Sequence, residues 1–460
     1  MNKRLKYTLA AGAALLLLIV AVPWLVPTSA WLGPLQEQAG KRLGTKVVIG
    51  DLRLALVPLP HLTASKIDIG EGAIRVESVT LYPELTTLFS SVRKIRSVNA
   101  DKLMVSRKGV DMIAALAAAP GGATAAAGNA AASDAKSGAA TNDGDGRPPV
   151  EVGKLRLRGA EVELASGKLP PIDLDLEMEG LRLVNALVSI DGGKAKLQVE
   201  PKGEGWDVAL TASNWVLPVG APVKFDSLKA NGRATKEGVS LPEITGKLYG
   251  GELRAKADLG WQKNWRLGGN AAINHLDIMP ALQSMKLKAA LSGRLDASGP
   301  FSAQATKPAG LMDVLSADFT FNVKDGVLHG FDLASAATSL LTGAKGGQTR
   351  FDELTGHALI AGHGYKLRDV HVVSGVLSAK GNVDISPAKQ LGGRVDVELK
   401  RTAGVISVPL AVSGSLSDPT LMPTKGSLAG AVAGSVLLPG VGTAAGASLG
   451  DKIGKFFGKK

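Results

Sequence analysis

The stretch Pro171–Gly180, PIDLDLEMEG, decides the fold of this chain. Apolar and acidic residues alternate along it one by one, so Ile172, Leu174, Leu176 and Met178 share one face of an extended strand. Their acidic neighbours point to the opposite face. A period of two is typical of a sheet that has one apolar face and one wetted face.

The same alternation occurs in other parts of the chain. It is found in Val150–Ala165 (VEVGKLRLRGAEVELA) and in Gly393–Arg401 (GRVDVELKR), where Val395, Val397 and Leu399 share a face. Similar short apolar segments, separated by Gly, Asn or Asp, fill most of the sequence between these two stretches. The pattern predicts many short strands joined by tight turns.

Two segments resemble each other internally, Leu248–Leu259 (LYGGELRAKADL) and Ser374–Ile385 (SGVLSAKGNVDI). Such repetition predicts repeated hairpins in an elongated sheet, with each strand contacting mainly its neighbours. Two short helices are expected to interrupt this sheet, around Asp277–Met285 and Leu333–Leu341. The fold class predicted from these patterns is therefore mainly β with short helices.

The composition excludes several classes of function. The chain has no Cys, which rules out disulfides, thiolate metal sites and cysteine nucleophiles. Lys and Arg number 53 against 41 for Asp and Glu, but the excess is spread along the chain and forms no arginine-rich stripe. Nucleic-acid binding is therefore not expected. Aromatic residues make up only 4%, which favours thin, repetitive β structure over large globular cores.

The N-terminus predicts a membrane anchor. Leu9–Val26 is almost continuously apolar, and about 18–20 such residues cross the hydrocarbon layer of a bilayer. Lys3, Arg4 and Lys6 precede it, so the positive-inside rule places the N-terminus in the cytoplasm and the bulk of the chain on the opposite side. The residues expected to carry the anchor are Leu9, Leu15, Leu16, Leu17, Leu18, Ile19, Val20 and Trp24. A cleaved signal peptide, with its site near Thr28–Ala30, is the alternative.

Changes in composition predict five segments. Residues 1–30 form the cytoplasmic stub and the anchor, and residues 31–116 form an N-terminal module that begins with an amphipathic helix over Gly33–Gly44 and later has a short helical stretch from Pro83. Residues 117–149 are rich in Ala and Gly and read as a disordered linker. Residues 150–425 form the larger β-rich domain, and residues 426–460 form a tail.

Glycines in the tail recur every four residues. Such spacing places them in one stripe of a helix and permits close packing in or on a membrane. The candidate second membrane contact consists of Gly442, Gly446, Gly450, Gly454 and Gly458. A flexible Gly- and Ala-rich tail is the other interpretation, since each half is short for a spanning helix.

No constellation of residues indicates catalysis. The Gly446–Gly450 segment GASLG matches a nucleophile elbow, but no strand precedes its serine. His357, His363 and His371 are close in sequence but lack metal-ligand spacing. The acidic row beside Leu174 is explained by strand alternation. We therefore expect a binding or structural protein that is not an enzyme and uses no metal and no cofactor.

Taken together, the motifs resemble the AsmA family of bacterial envelope proteins. The resemblance covers roughly residues 1–110 and 240–425, and the order of its segments is more specific than any one of them. Those segments are Ile49–Gly70 (IGDLRLALVPLPHLTASKIDIG), His275–Phe301 (HLDIMPALQSMKLKAALSGRLDASGPF), Phe319–Leu341 (FTFNVKDGVLHGFDLASAATSLL), Phe351–Ser386 and Val408–Pro423 (VPLAVSGSLSDPTLMP). The linker and the tail lie outside it.

The resemblance implies a single-pass protein of the bacterial inner membrane whose periplasmic part is a long, curved sheet shaped as an apolar groove. It also implies roles in phospholipid transport between the two membranes and in outer-membrane assembly, with membrane phospholipids as partners and envelope proteins as candidate partners. The candidate groove lining is Ile172, Leu174, Leu176, Met178, Val395, Val397 and Leu399. For each of these an ordinary packed core remains open, and a non-catalytic scaffold for outer-membrane proteins is the alternative function.

Overall fold

The computed structural model describes residues 29–118 and 150–424 together with residue 426, apart from residues 88, 89, 91, 165, 166, 181, 219, 287–289, 339–343, 402 and 403. The predicted anchor over Leu9–Val26, most of the predicted linker and the glycine stripe from Gly442 to Gly458 lie outside these residues. Within the described ranges, no helix has the length and apolar character needed to cross a membrane. The anchor and the second membrane contact therefore stay predictions.

Contacts within the chain divide it into two compact units, Met1–Thr211 and Ala212–Lys460. This division lies inside the predicted β-rich domain and not at the predicted linker. The helix before the linker continues to Ala118 and so includes the first two residues, 117 and 118, of the predicted linker. The composition-based domain limits stay a prediction.

The first unit begins with helix α1 and also contains helix α2. Helix α1 spans Ser29–Leu43, four residues earlier at its start than predicted, and α2 spans Arg107–Ala118. The strands are β1 (Val47–Ala55), β2 (His61–Ile69), β3 (Ile74–Pro83), β4 (Arg93–Val105), β5 (Val150–Leu164), β6 (Gly167–Lys168), β7 (Ile172–Glu179), β8 (Arg182–Ile190) and β9 (Ala195–Lys202). Strand β10 spans Gly205–Val216 and contains the division point.

Pairing in the first unit is antiparallel at every described contact except one. Strands β1, β2, β3 and β4 form a meander, and β5, β7, β8 and β9 form another. Strands β4 and β5 join the two meanders as a parallel pair, with Val98 opposite Leu155 and Ala100 opposite Leu157. The predicted helical stretch after Pro83 is only a short 3-10 turn, Leu85–Thr87, and Pro83 itself ends β3.

The second unit is also a strand-after-strand sheet. Its strands are β11 (Lys224–Ala234), β12 (Gly238–Leu248), β13 (Gly251–Gly260), β14 (Trp265–Asp277), β15 (Leu291–Ala305), β16 (Ser316–His329), β17 (Ala344–Lys345), β18 (Gln348–Ala361), β19 (Gly364–Val373), β20 (Leu377–Ile385), β21 (Leu391–Arg401), β22 (Gly404–Ser415) and β23 (Asp418–Pro423). Its helices are α3 (Ile278–Ser284) and α4 (Leu333–Thr338).

Neighbouring long strands of this unit pair antiparallel from β11 to β23. Helix α3 forms where predicted because the Asp277 side chain caps it, accepting a hydrogen bond from the backbone N–H of Met279. The prediction of a mainly β, mostly antiparallel fold with short helices is confirmed.

In each unit a helix packs on part of the sheet and adds to the buried residues there. In the first unit, Ile74, Val76 and Val105 are buried, and Val110 and Met112 of α2 pack against them. In the second unit, α4 packs on β18, β21, β22 and β23, and its own Leu333, Ala336 and Ala337 are buried. The helices therefore supply cores that are local and do not extend over the whole sheet.

Register shifts interrupt several strand pairs, and three of these β-bulges have a feature in common. At each of the three, a backbone N–H on the bulged strand donates to a side-chain oxygen on the neighbouring strand. These bonds join Gly159 N to Asp173 Oδ1 at 2.8 Å, His275 N to Asp296 Oδ1 at 2.7 Å, and Asp369 N to Asn382 Oδ1 at 3.0 Å. Each donor residue has a positive φ, which breaks the ladder locally and increases the strand twist.

We expect Asp173→Ala to lower the stability of the first unit by about 1–2 kcal/mol, because the Gly159 N–H loses its acceptor. That loss corresponds to a melting temperature about 2–8 °C lower, measured by circular dichroism. Asp173→Asn is the matched control, since Asn382 performs the same role at the third bulge. If Asp173→Asn melts as early as Asp173→Ala, the bulge bond does not contribute in this way.

An apolar sheet face as the candidate functional site

Two rows of apolar side chains cross the first unit at right angles to its strands. Directly paired residues lie on the same face of a sheet, so the rows follow from the strand registers. Row one is Leu54, Leu62, Leu81, Val98, Leu155, Leu176, Ala186 and Val199. Row two is Leu52, Ala64, Val79, Ala100, Leu157, Leu174, Val188 and Leu197.

The side chains of these rows are not packed as a core. All of them are half-buried except Leu52 and Ala186, which are buried. A second sheet or a helix on this face would bury leucines and valines almost fully. Among the described helices of this unit, α1 packs along β1, and α2 packs on the end of the face marked by Ile74, Val76 and Val105. The two rows are therefore a continuous apolar surface open to a ligand.

The dimensions of this surface suit an acyl chain. At about 4.8 Å between strands, each row is about 34 Å long. The lipid tails of one leaflet span about 15 Å, which is half of the hydrocarbon thickness of a bilayer. Each row is thus longer than one lipid tail.

The opposite face of the same strands is charged. Lys154 Nζ lies 2.8 Å from Glu177 Oε1, and Arg158 Nη2 lies 2.7 Å from Asp175 Oδ1. The hydrogen bond to the Asp175 carboxylate raises the pKa of the Arg158 guanidinium above its ordinary value. This is the wetted face that the acidic row in the sequence predicted, and its exposed ion pairs contribute little to stability.

The second unit carries a comparable row, and this row is buried. The row consists of Val323, Leu354, Val372, Ala379, Val397 and Val408, and every member is buried. Helix α4 packs on β18, β21 and β22, which contribute three of these residues. Of the predicted lining on β21, Val397 and Leu399 lie in this core, whereas Val395 is half-buried.

The predicted lining residues therefore fall into two groups, one on an open face and one in a buried region. Ile172, Leu174, Leu176 and Met178 lie on the open apolar face of β7, and Leu174 and Leu176 stand in the two rows. Val397 and Leu399 are buried on a strand that α4 contacts, which favours for them the ordinary packed core that the alternation had left open.

Sequence reasoning did not single out the rows on β5 and β8, although they complete the site. Leu155 and Leu157 lie opposite Leu176 and Leu174, and Val188 continues the second row. The alternation in VEVGKLRLRG was the available signal. It shows which residues share a face of one strand but not which strands are adjacent.

The histidines near β18 form no common site in the described structure. His357 Nδ1 lies 3.9 Å from Asp318 Oδ1, and His363 Nε2 lies 3.1 Å from Asp313 Oδ1. Within the described ranges, no group of three or more His, Asp or Glu residues is arranged to hold a metal ion.

Comparisons with known proteins agree with the architecture. A family model described as the AsmA family matches the chain twice, over residues 1–200 and over residues 162–362. The two matches overlap and together cover well over half of the chain. No curated protein and no solved structure matches it.

Proposed function

The chain belongs to the AsmA family, and from this premise we propose that it binds lipid acyl chains along the two apolar rows and supports phospholipid transport and outer-membrane assembly. Membership of this family is consistent with transport or assembly in the cell envelope. The observation that carries the finer proposal is the pair of rows, whose leucines and valines are half-buried apart from Leu52. Among the described helices, α1 packs along β1 at one end of the rows, and α2 packs at Ile74, Val76 and Val105.

Acyl chains on this face would replace water over apolar surface. Each buried methylene contributes about 0.8 kcal/mol, so a lipid tail gains several kcal/mol from one row. The residues along a row are of similar size and polarity, so a tail that slides along it leaves and regains similar contacts. Movement of lipid would therefore need no reacting group.

The proposed location follows from the N-terminus. We propose that residues 1–30 anchor the chain in the inner membrane, with the N-terminus in the cytoplasm and the sheet in the periplasm. The support is the uncharged run over Leu9–Val26 and the basic residues before it. An anchor at this point holds the first unit close to a bilayer that could supply lipid.

Photo-crosslinking in cells tests the proposal. We expect a photoreactive amino acid at Leu174 or Leu176 to form phospholipid adducts that mass spectrometry identifies. Leu187 is the matched control, because it is also half-buried but pairs with Asp175 on the charged face. Protein adducts without lipid adducts at both positions would instead support the scaffold that assembles outer-membrane proteins through protein contacts.

A further inference from the structure

The ends of strands β1 to β5 that lie side by side form one edge of the first unit, and the turns there expose apolar side chains. The β1–β2 loop presents Val57 and Leu59, the 3-10 turn after β3 presents Leu85, and β5 begins with Val150. Their relative exposures are 49%, 49%, 51% and 49%. We call these four residues together the apolar rim.

The strand registers place the rim along one edge. Ala55 is opposite His61, Pro83 is opposite Ile95, and Arg93 is opposite Val150. From β1 to β5 this edge is about 19 Å wide at about 4.8 Å per strand. Helix α2 follows Val105, at the other end of β4.

Hydrogen bonds hold the rim in place. His61 Nδ1 lies 2.8 Å from the carbonyl oxygen of Leu59, and the His61 ring lies against Tyr82 with the centroids 5.2 Å apart. The backbone N–H of Lys94 donates to Thr87 Oγ1 at 2.9 Å, and that of Glu84 donates to the Lys94 carbonyl at 2.9 Å. The apolar tips are thus presented by bonded turns.

Cations lie directly beside the rim. Arg93, Lys94 and Arg96 are all exposed. Lys94 Nζ lies 3.3 Å from Glu151 Oε2, whereas Arg93 and Arg96 form no ion pair with another residue that the structure describes. Exposed apolar tips next to arginines match the chemistry of an anionic bilayer surface, where the tips enter the interface and the cations meet phosphates.

The course of α1 supports the same partner. The helix ends at Leu43, just before β1, and Gln36 Nε2 donates to the Ile49 carbonyl at 3.3 Å. It therefore runs back along β1, and its first residues point toward the rim edge. The apolar run over Leu9–Val26 directly precedes this helix in the sequence.

We propose that the apolar rim and its arginines dock on the anionic head-group surface of the membrane that holds the anchor. Docking brings the bilayer to row one, because Leu62 and Leu81 directly adjoin His61 and Tyr82 at the rim edge. In this respect the inference rests on the proposed function: lipid enters the rows over the rim.

The test uses the full chain, which contains no cysteine of its own, reconstituted in vesicles. A nitroxide is attached at Leu59→Cys, or at Met104→Cys as the control. Met104 has the same exposure of 49% but lies toward the other end of β4. At about 3.3 Å per residue, that is about 33 Å from Lys94. In phosphatidylethanolamine–phosphatidylglycerol vesicles, we expect the Leu59 label to collide more with oxygen than with a water-soluble nickel chelate, and the Met104 label to show the reverse.

Charge variants complete the experiment. Arg93→Gln/Arg96→Gln is expected to lower the docked-to-undocked ratio at Leu59 by roughly tenfold or more, and Arg93→Lys/Arg96→Lys to preserve it. Free access of the nickel chelate to the Leu59 label would overturn the proposal. So would low access of both reagents, which would indicate a protein or a second copy on the rim. Crosslinking at Leu174 in the same vesicles measures lipid binding by the two rows independently of docking by the rim. Failure of the docking proposal can therefore be distinguished from failure of the proposed lipid binding.

Discussion

Replacing Val397 by Asp is expected to unfold much of the second unit. The side chain of Val397 is 0% exposed and lies between Ala379 and Val408 on a strand that α4 covers. A carboxylate in this position loses its hydration and gains no cation, so the predicted cost is about 4 kcal/mol or more. For a unit of this size, that cost lowers the melting temperature by about 8–16 °C.

Val395→Asp is the matched control for this prediction. Val395 is on the same face of the same strand two residues earlier, but it is half-buried. We expect its replacement to cost about 1 kcal/mol, because the carboxylate keeps much of its water. Both variants are compared by thermal unfolding and by limited proteolysis. Equal losses at the two positions would contradict the expectation that the complete burial of Val397 sets the cost.

The second large effect concerns lipid rather than stability. Leu174→Glu is expected to reduce the phospholipid that co-purifies with the chain by at least about tenfold. Leu174 stands between Leu157 and Val188 in row two, where a carboxylate would face a lipid tail instead of water. The free protein should lose little stability, because the side chain is half-exposed when no lipid is bound.

Leu187→Glu is the control for Leu174→Glu. Leu187 lies opposite Asp175 on the charged face, where Arg156 and Arg158 flank that aspartate at 3.7 and 2.7 Å. A glutamate there faces water and nearby cations, so lipid retention should be unchanged. Quantitative lipid mass spectrometry after a gentle purification is the measurement. Equal lipid contents in the two variants would remove the rows from the binding site.

The sequence predicted the faces of individual strands well, because alternation is a local property. PIDLDLEMEG became β7 with Leu174 and Leu176 on the apolar side, and Asp277 capped a helix in the expected place. Amphipathic structure around Gly33–Gly44 was also correct, although the helix begins at Ser29 and includes Pro34. These features depend on residues close together in the chain.

The sequence could not show which apolar faces other elements pack against, nor which strands are neighbours in the sheet. The alternating segments PIDLDLEMEG and GRVDVELKR look alike, yet Val397 is buried under α4 while Leu174 is open. Helix α4, with its buried Leu333, Ala336 and Ala337, packs on β21 although it lies far from that strand in sequence. The division after Thr211 likewise has no local signal, because it falls within the continuous strand β10.

The parallel pair of β4 and β5 has a consequence for how the chain can vary. Antiparallel strands can be joined by two residues, but parallel neighbours require the chain to travel back along the full strand before it enters again. Strand β4 extends over Arg93–Val105, about 43 Å at about 3.3 Å per residue. The chain between Val105 and Val150 must cover that return distance. The length of this connection therefore has a lower limit below which these two strands can no longer pair, and this limit holds whatever residues follow α2.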